Sequence, residues 1–182
     1  MRLSVVKLGG SFATSPLLRR WLEAIAGAPG VVLVAGGGPF ADAVRAAQPV
    51  MGFDDGAAHR MALLAMNQFA LALAALAPRL LPADDVPAIE AALAGGRVPV
   101  WCPWPMLRGE PGIAESWDVT SDSLALWLAA RLAAARLVLV KHRVAALAAP
   151  GLVDAAFARF RAAFAGEVVL AGPEDFGVLV SR

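Results

Sequence analysis

Residues 3–11 read LSVVKLGGS and residues 31–39 read VVLVAGGGP, and these two stretches decide the fold class. In each of them a short apolar run ends at consecutive glycines, which is typical of a buried strand that stops at a tight turn. The residues that follow, 16–26 and from about 39 onward, have the pattern of helices. Strand, glycine turn and helix in repetition predict a parallel sheet with crossover helices.

The rest of the chain continues this alternation. Asp54 and Asp55 open a long predicted helix that runs to about residue 77, because carboxylates suit the positive end of a helix dipole. Further helices are predicted at 84–94, 120–134 and 150–165, further strands at 98–102, 137–140, 168–171 and 178–180, and a loop at 103–115. We therefore expect one α/β domain, residues 1–182, with a mostly parallel, helix-flanked sheet.

The composition excludes several classes of protein. Hydrophobic residues make up 59% of the chain and charged residues 17%, which excludes a disordered chain and implies a large core. The net charge of +1 comes from scattered residues, so we expect no nucleic-acid partner. The most apolar stretch, 61–77, is interrupted by Asn67 and Gln68 and is short for a membrane span. With Cys102 as its single cysteine and no secretory signal pattern, the protein is expected to be cytoplasmic.

Lys7, Gly9, Gly10 and Ser11 form the first candidate site, at the end of the first predicted strand. A lysine in a buried strand is unfavourable unless its ammonium group reaches an anion or a polar cleft. The glycines expose backbone N–H groups and let a ligand approach closely, and the serine adds a hydroxyl donor. Together they are typical of a phosphate cradle. A plain strand-to-helix turn with a solvated lysine explains the same residues.

Gly36, Gly37 and Gly38 follow the second predicted strand, where ligands bind in open α/β sheets. The dinucleotide pattern G-x-G-x-x-G is not matched, and neither is the P-loop, because no Gly-Lys-Ser/Thr occurs. Three glycines in a row exceed what a turn requires, so a ligand-facing turn is predicted here. The alternative is a turn that serves only packing.

Hydroxyl and carboxylate groups crowd residues 116–123, SWDVTSDS, before a predicted helix. Thr120 or Ser121 can cap that helix, but a cap needs only one such residue. An aspartate in this group can hold a lysine or a magnesium ion beside phosphate. An over-provided helix cap is the other interpretation.

A basic triplet, Lys141-His142-Arg143, follows the predicted strand at 137–140. It is interpreted as a cationic site at another strand end or as a solvated turn. The four glycine-rich or polar clusters together favour a shared site more strongly than any one of them does.

The order of these motifs resembles the amino-acid-kinase superfamily, which includes acetylglutamate, aspartate, carbamate and uridylate kinases. The matching features are Lys-x-Gly-Gly-Ser near residue 7, the triple glycine near 37 and a Thr-Ser-Asp-Ser-Leu-Ala helix start near 120. Residues 58–68 and 116–125 resemble one branch, the aminomethylfuran phosphate kinase of methanofuran biosynthesis and its methylofuran counterparts in methylotrophic bacteria. The resemblance covers nearly the whole chain and implies a three-layer α/β sandwich with a mostly parallel central sheet.

The resemblance implies a kinase that uses ATP and Mg²⁺ and moves the γ-phosphoryl group to a small anionic acceptor, in this branch a phosphate monoester. It implies that Lys7 and Lys141 neutralise the transferred group and that Asp122 orients these lysines. The implied cofactor-binding residues are Gly9, Gly10, Ser11, Thr120 and Ser121, and the implied substrate-binding residues are Gly36, Gly37, Gly38, His59 and Asp118. For His59, a place in the core or in an interface on the long predicted helix is the other interpretation. No protein ligand for a metal is implied. Such chemistry relies on positioning and charge neutralisation rather than on a covalent nucleophile.

The chain departs from the family pattern after Lys141. Family members carry a longer C-terminal portion that binds the adenosine, whereas little separates Lys141 from the predicted helix near Gly151. The nucleotide half is therefore expected to be abbreviated. Three interpretations stay open: ATP binds in a reduced pocket, a partner subunit completes the site, or catalysis is lost. In the last case the protein is a ligand-binding or scaffold subunit of a coenzyme biosynthesis enzyme.

The long helix predicted at 54–77 is apolar over much of its circumference, more than one buried face requires. We expect one side of it to pack in the core and the other against another subunit. The expected assembly is a homodimer or a larger oligomer.

Overall fold

A computed structural model describes residues 2–142 and 151–179 of the chain. Its centre is a six-stranded sheet in the order β3-β4-β2-β1-β5-β6. The strands are β1 (Ser4–Leu8), β2 (Val31–Ala35), β3 (Leu80–Ala83), β4 (Val98–Trp101), β5 (Arg136–Val140) and β6 (Glu167–Ala171). Every strand pairing within the described residues is parallel, which confirms the predicted parallel sheet.

Helices cover both faces of the sheet and make three layers. They are α1 (Leu18–Gly27), α2 (Gly38–Met51), α3 (Asp55–Leu76), α4 (Val86–Ala94), α5 (Trp104–Leu107), α6 (Ser121–Arg131) and α7 (Phe157–Ala163), with two 3-10 helices at Gly10–Thr14 and Phe176–Leu179. On one face, Trp21 of α1 and Leu73 of α3 share a buried cluster with Val6 of β1. On the other face, Leu124 of α6 shares a cluster with Val5. The predicted three-layer α/β fold is confirmed.

The pleat of β1 decides which layer each of its side chains meets. Successive residues of a strand point to opposite faces, so Val6 and Leu8 face α1, whereas Val5 and Lys7 face α6. All of β1 is buried because the strand lies between β2 and β5. Lys7 therefore enters the layer that holds Asp122, a residue of the first turn of α6.

Among the described residues, α3 is the one helix long and apolar enough to span a membrane, judged by length and composition alone. In its most apolar window, 39% is buried inside the fold. Leu63 and Met66 belong to the core on one face of the sheet, and Phe69 and Leu73 to the core on the other. The inner side of α3 thus packs in the core, as predicted.

The strand β3 is missing from the sequence prediction. It contains Pro82, which cannot donate a ladder hydrogen bond and argues against a central strand. The structure places this strand at the edge of the sheet, paired with β4 alone. An edge strand needs only one of its two rows of hydrogen bonds, so a proline is tolerated there.

The predicted helix at 150–165 is wrong over residues 151–156, because α7 begins only at Phe157, and position 150 lies outside the described residues. The preceding residues turn back toward α6, where the carboxylate of Asp154 accepts hydrogen bonds from Thr120 and Ser123. The backbone N–H of Ala156 also donates to the carbonyl of Asp118. The hydrogen bonds that Asp154 and Ala156 make to the first turn of α6 and the segment before it compete with an extension of α7 toward its N-terminus.

Two smaller predictions also differ from the structure. The predicted strand at 178–180 is replaced by a 3-10 helix up to Leu179, and position 180 lies outside the described residues. Phe176 in this segment packs on Trp21 of α1, with ring centroids 4.9 Å apart, which turns the chain away from the sheet. The predicted loop at 103–115 contains the short helix α5.

Candidate functional site

The carboxyl ends of β1, β2 and β5 lie side by side, so the clusters that follow them meet at one edge of the sheet. Leu8, the last residue of β1, pairs with Ala35 of β2 and with Val140 of β5. The residues that directly follow these three strands are Gly9, Gly36 and Lys141. Parallel pairing in register therefore brings together groups that are far apart in the sequence.

Lys7, Lys141 and Asp122 form a buried charge cluster. Nζ of Lys7 lies 2.9 Å from Oδ1 of Asp122, and Nζ of Lys141 lies 2.6 Å from Oδ2. The side chains of Lys7 and Asp122 are only 6% and 7% exposed. Two ammonium groups thus share one carboxylate, and the cluster carries surplus positive charge. Buried surplus charge is unfavourable unless an anion joins it.

The electrostatics of the cluster follow from its burial and composition. Burial raises the pKa of Asp122, but the charges of Lys7 and Lys141 outweigh this effect and leave the pKa of the carboxyl below its usual value. Burial and repulsion from Lys7 lower the pKa of Lys141, against the attraction of Asp122 and of the more distant Asp154. The ionised carboxylate holds both ammonium groups in place, and an incoming anion would relieve the repulsion between them.

Gly10 and Gly36 are required by packing. A Cβ atom on Gly10 would lie 2.6 Å from the Cα of Gly38, and one on Gly36 would lie 2.5 Å from the backbone nitrogen of Gly10. Gly38 itself has a φ of +55°, in the left-handed region that favours glycine. The two glycine turns pack backbone against backbone, so packing accounts for part of the triple glycine.

Gly9 is different, because the fold does not require a glycine there. Its φ of −60° and ψ of 144° are open to any residue. A Cβ atom at this position would lie 3.6 Å from Oγ of Ser11 and 3.7 Å from Nζ of Lys7, which are ordinary contact distances. The missing side chain leaves free space beside the Lys7 ammonium group, where a ligand atom can approach.

This difference gives a prediction for two alanine variants. Gly10→Ala must shift backbone atoms of the facing turn, and we expect it to lower the free energy of unfolding by about 1–3 kcal/mol. Gly9→Ala adds a methyl group beside Lys7, so it should change stability by less than about 0.5 kcal/mol while weakening the binding of phosphate or nucleotide. Thermal unfolding with and without Mg-ATP checks both. Equal destabilisation by the two variants would contradict the distinction.

Asp154, which sequence analysis did not select, organises the hydroxyl-rich stretch before α6. Its Oδ2 accepts hydrogen bonds from the backbone N–H and the hydroxyl of Thr120, at 2.9 and 2.8 Å, and from the N–H of Ser123 at 3.0 Å. The hydroxyl of Ser123 donates to the other oxygen. The carboxylate that caps α6 thus lies 34 residues after Thr120 and 31 residues after Ser123 in the chain, so no local sequence pattern indicates it. Thr120 occupies the N-cap position of α6, but its side chain makes no capping hydrogen bond to the helix, so the predicted cap by Thr120 is wrong and Asp154 takes that role. Asp122 faces the two lysines instead.

A cleft of about 230 Å³ opens between α2, α3 and the start of α6, beside the glycine turns. The predicted site residues that line it are Gly10, Ser11, Gly36, Gly37, Gly38, His59, Thr120 and Ser121. Asp118 does not line the cleft, and its side chain is exposed. Lys7, Gly9, Asp122 and Lys141 also lie outside the lining, next to Gly10 and Ser11. The predicted residues therefore divide into a charge cluster and an adjoining cleft.

Two further cleft residues, Arg45 and Trp117, are absent from the sequence prediction. The indole N–H of Trp117 donates to Oε1 of Gln48 at 2.7 Å, and the guanidinium of Arg45 lies 4.6 Å from the centre of the Trp117 ring. Arg45 also pairs with Asp42 at 2.9 Å. The three-residue spacing of Asp42, Arg45 and Gln48 marks one face of α2 in the sequence. Only the fold shows that Trp117 covers this face.

The described residues suit a phosphate group better than a metal ion. Within 2–142 and 151–179, no group of three or more His, Cys, Asp or Glu side chains is placed to hold a metal. Both oxygens of Asp122 already contact ammonium groups. The surplus positive charge and the free space at Gly9 fit the phosphates of a nucleotide, whereas a site in which this chain alone ligates Mg²⁺ does not fit.

A parallel three-layer fold with glycine turns and a cationic cluster at one sheet edge defines a class of phosphate-binding α/β proteins. Within that class, residues 2–144 match the Amino acid kinase family, and the chain belongs to this family of phosphotransferases. No curated protein sequence matches the chain.

Solved structures share the fold. The uridylate kinase from Archaeoglobus fulgidus superposes with a TM-score of 0.72 at 18% identity, over 100% of this chain and 97% of that one. The UMP kinase from Ureaplasma parvum gives 0.68 at 15% identity, over 94% and 89% of the two chains. An isopentenyl phosphate kinase gives 0.59 at 16% identity, over 98% and 96%. The family match ends at residue 144, whereas the similarity of fold to these three structures covers 94% or more of this chain.

Proposed function

We propose that the protein is a cytoplasmic, ATP-dependent kinase whose acceptor is a small phosphate monoester, such as aminomethylfuran phosphate in methylofuran or methanofuran biosynthesis. The observation that carries the proposal is the buried cluster of Lys7, Lys141 and Asp122. The cluster carries surplus positive charge, and Gly9 leaves room for an atom of methyl size beside Lys7. Preorganised positive charge stabilises the charge that develops on phosphoryl oxygens.

When bound, ATP supplies the γ-phosphoryl group, which separates from ADP and joins an oxygen of the acceptor phosphate to give a diphosphate. Charge spreads over the oxygens of the transferred group, so catalysis depends on positioning and neutralisation. Lys7 and Lys141 neutralise this charge, and Asp122 holds their ammonium groups in place. The residues proposed to bind the nucleotide phosphates are Gly9, Gly10, Ser11 and Ser121, whereas the backbone N–H and the hydroxyl of Thr120 already donate to Asp154. Since the described residues do not form a metal site of their own, Mg²⁺ is proposed to arrive on the nucleotide.

The cleft beside the cluster suits the acceptor. The glycine turns at 36–38 supply backbone close to the cluster, and Leu63 and Met66 give the cleft an apolar wall. The ring of Trp117 supplies a flat surface for a small ring compound. UMP and isopentenyl phosphate, for which the structural neighbours are named, are both phosphate monoesters, which supports an acceptor of this class.

An acceptor assay tests the proposal. The protein is incubated with Mg-ATP and aminomethylfuran phosphate, UMP or isopentenyl phosphate, and ADP and diphosphate ester are followed by ³¹P NMR. We expect ADP to form only when an acceptor is present, and fastest with aminomethylfuran phosphate. If Mg-ATP or an ester raises the melting temperature but none of the three esters is phosphorylated, the ligand-binding or scaffold alternative replaces the kinase.

We also propose that α3 forms an interface with a second copy of the chain. Its outer side exposes Met61, Leu64 and Leu71, which are three and seven residues apart and are 37%, 41% and 56% exposed, with the exposed Gln68 between the two leucines. Such a stripe on a helix that already packs in the core suits a homodimer.

A pair of charge variants tests this interface. We expect light scattering to show a dimer at micromolar concentration and Leu64→Glu to shift it to monomer, because a carboxylate in an apolar interface is left unpaired. Leu81→Glu, at an equally exposed leucine on β3, is the matched control and should stay dimeric. A monomeric wild type, or dissociation by both variants alike, would count against the proposed interface.

A further inference from the structure

His59 is a buried polar residue in the wall of the cleft that the charge cluster leaves unused. It lies in α3 and is only 3% exposed. Its Nδ1 atom lies 3.2 Å from the carbonyl oxygen of Ser116, whereas its Nε2 atom is buried without a hydrogen-bond partner. An unpaired buried polar atom costs about 1–3 kcal/mol, so its presence in a ligand cleft calls for an explanation.

The contact with Ser116 decides the tautomer. A carbonyl oxygen can only accept, so Nδ1 carries the proton and donates it to Ser116. Burial lowers the pKa of His59, and this effect exceeds the opposing contributions of the Ser116 hydrogen bond and the Glu115 charge. The ring is therefore neutral at pH 7, and Nε2 presents a lone pair. It can be satisfied only by a group that donates a hydrogen bond.

The position of His59 in the cleft shows where such a donor must lie. At the glycine end, Phe69 of α3 is close to Gly38, since a Cβ atom there would lie 3.4 Å from its ring. His59 precedes Phe69 by ten residues, which is about 15 Å along a helix axis. The apolar residues Leu63 and Met66 lie between them in the cleft wall. The cleft thus has a glycine end and an apolar middle, and His59 contributes to its wall at the other end, with its unpaired Nε2 atom shielded from solvent.

Resting on the proposed kinase function, we propose that Nε2 of His59 selects an acceptor that carries an amino or hydroxyl group at the end remote from its phosphate. The phosphate lies at the glycine turns, next to Lys7, and the apolar body lies along α3. The donor group then satisfies the one polar atom of this wall that the protein leaves unpaired. His59 is a specificity-determining residue, because it acts on the choice of acceptor and not on the transferred group.

Two acceptors that differ in one group test the selection. They are aminomethylfuran phosphate and the same ester with a methyl group in place of the aminomethyl group. A site built to hydrogen-bond a substrate group rejects the analogue that lacks it, because its own polar atom is then left unpaired. We expect wild type to prefer the amino ester by roughly tenfold or more in kcat/KM, equivalent to about 1.4 kcal/mol.

Two substitutions of His59 distinguish the role of its Nδ1 atom from that of its Nε2 atom. The side-chain amide of His59→Asn can still donate to Ser116 but has no atom at the Nε2 position, so the preference should fall to near unity. His59→Gln places an amide oxygen near the Nε2 position and should keep part of the preference. Arg60→Ala, at the neighbouring exposed residue that pairs with Glu115, is the control and should keep all of it. Circular dichroism establishes that each variant is folded.

Imidazole ¹⁵N NMR gives a readout that needs no turnover. The chain has two histidines, so His59→Asn identifies the His59 signals directly. Adding the amino ester should shift the Nε2 resonance, which then accepts a hydrogen bond, and should leave Nδ1 nearly unchanged. The methyl ester should not shift Nε2. A merely structural histidine would respond to neither ester.

The outcomes separate this inference from the proposed function. Equal turnover of both esters by wild type, or an unchanged preference in His59→Asn, overturns the role of His59 and leaves the kinase intact. If neither ester is turned over, and UMP and isopentenyl phosphate are not either, the kinase assignment is overturned. Whenever the two furan esters are not turned over, the NMR experiment decides the inference alone. A shift of Nε2 with the amino ester supports it, and the absence of a shift overturns it.

Discussion

Lys7→Ala is expected to lower kcat by about 100-fold or more, equivalent to about 2.7 kcal/mol of barrier. The ammonium group of Lys7 lies beside the free space at Gly9, where a phosphoryl group can approach. Removing it takes away positive charge where negative charge spreads in the transition state. The loss should therefore appear in kcat more than in KM.

The fold should survive this substitution. Without Lys7, Asp122 keeps its contact with Lys141 at 2.6 Å, so the cluster becomes a neutral pair and no buried charge is left alone. Steady-state phosphoryl transfer by wild type and variant, with circular dichroism as the folding control, makes the measurement. Lys7→Arg should not restore the rate, because the wide guanidinium fork cannot replace a compact ammonium group beside a tight turn. A folded Lys7→Ala protein that keeps its kcat would contradict the assigned role.

Asp122→Ala should have the largest effect on stability. It leaves two lysines facing each other without their carboxylate, and Lys7 is only 5% exposed. Breaking a buried ion pair by removing one partner costs about 3–5 kcal/mol, since an uncompensated charge remains in the interior. Activity should fall as well, because neither ammonium group is then held in place.

Chemical denaturation of Asp122→Ala beside Asp118→Ala measures this effect. Asp118 lies four residues earlier but is exposed, so its removal should change stability by less than about 0.5 kcal/mol. Inorganic phosphate should raise the melting temperature of Asp122→Ala more than that of wild type, because an added anion replaces the lost carboxylate. Similar, small losses for both variants would show that the cluster does not need its carboxylate.

Much of the fold is predictable from the sequence because its signals are local. Apolar runs that end at glycines indicate buried strands, and these same runs became β1 and β2. The start of the long helix is also predictable from its carboxylates, and in the structure Asp54 caps α3 by accepting a hydrogen bond from the N–H of Ala57. Local motifs and the family resemblance point to Lys7 and Asp122, and in the structure Nζ of Lys7 lies 2.9 Å from Oδ1 of Asp122.

Other features depend on contacts between distant segments, which no local pattern records. Pro82 argues against a strand until the sheet order puts it on an edge. Gly10 lines the cleft, but only the structure shows that a glycine is required there because the turn at Gly38 packs against it. Asp154 shows no role until the chain returns to cap α6.

Local sequence patterns are enough to establish the class of fold, the strand ends that carry polar groups and the residue types available for phosphate chemistry. The packed fold is needed to show which glycines serve packing and which leaves room for a ligand, which hydroxyls donate to the capping carboxylate, and that His59 keeps an unpaired nitrogen. This division arises because strand periodicity and turn chemistry act over a few residues. Hydrogen-bond satisfaction and steric room depend on every segment that packs around an atom.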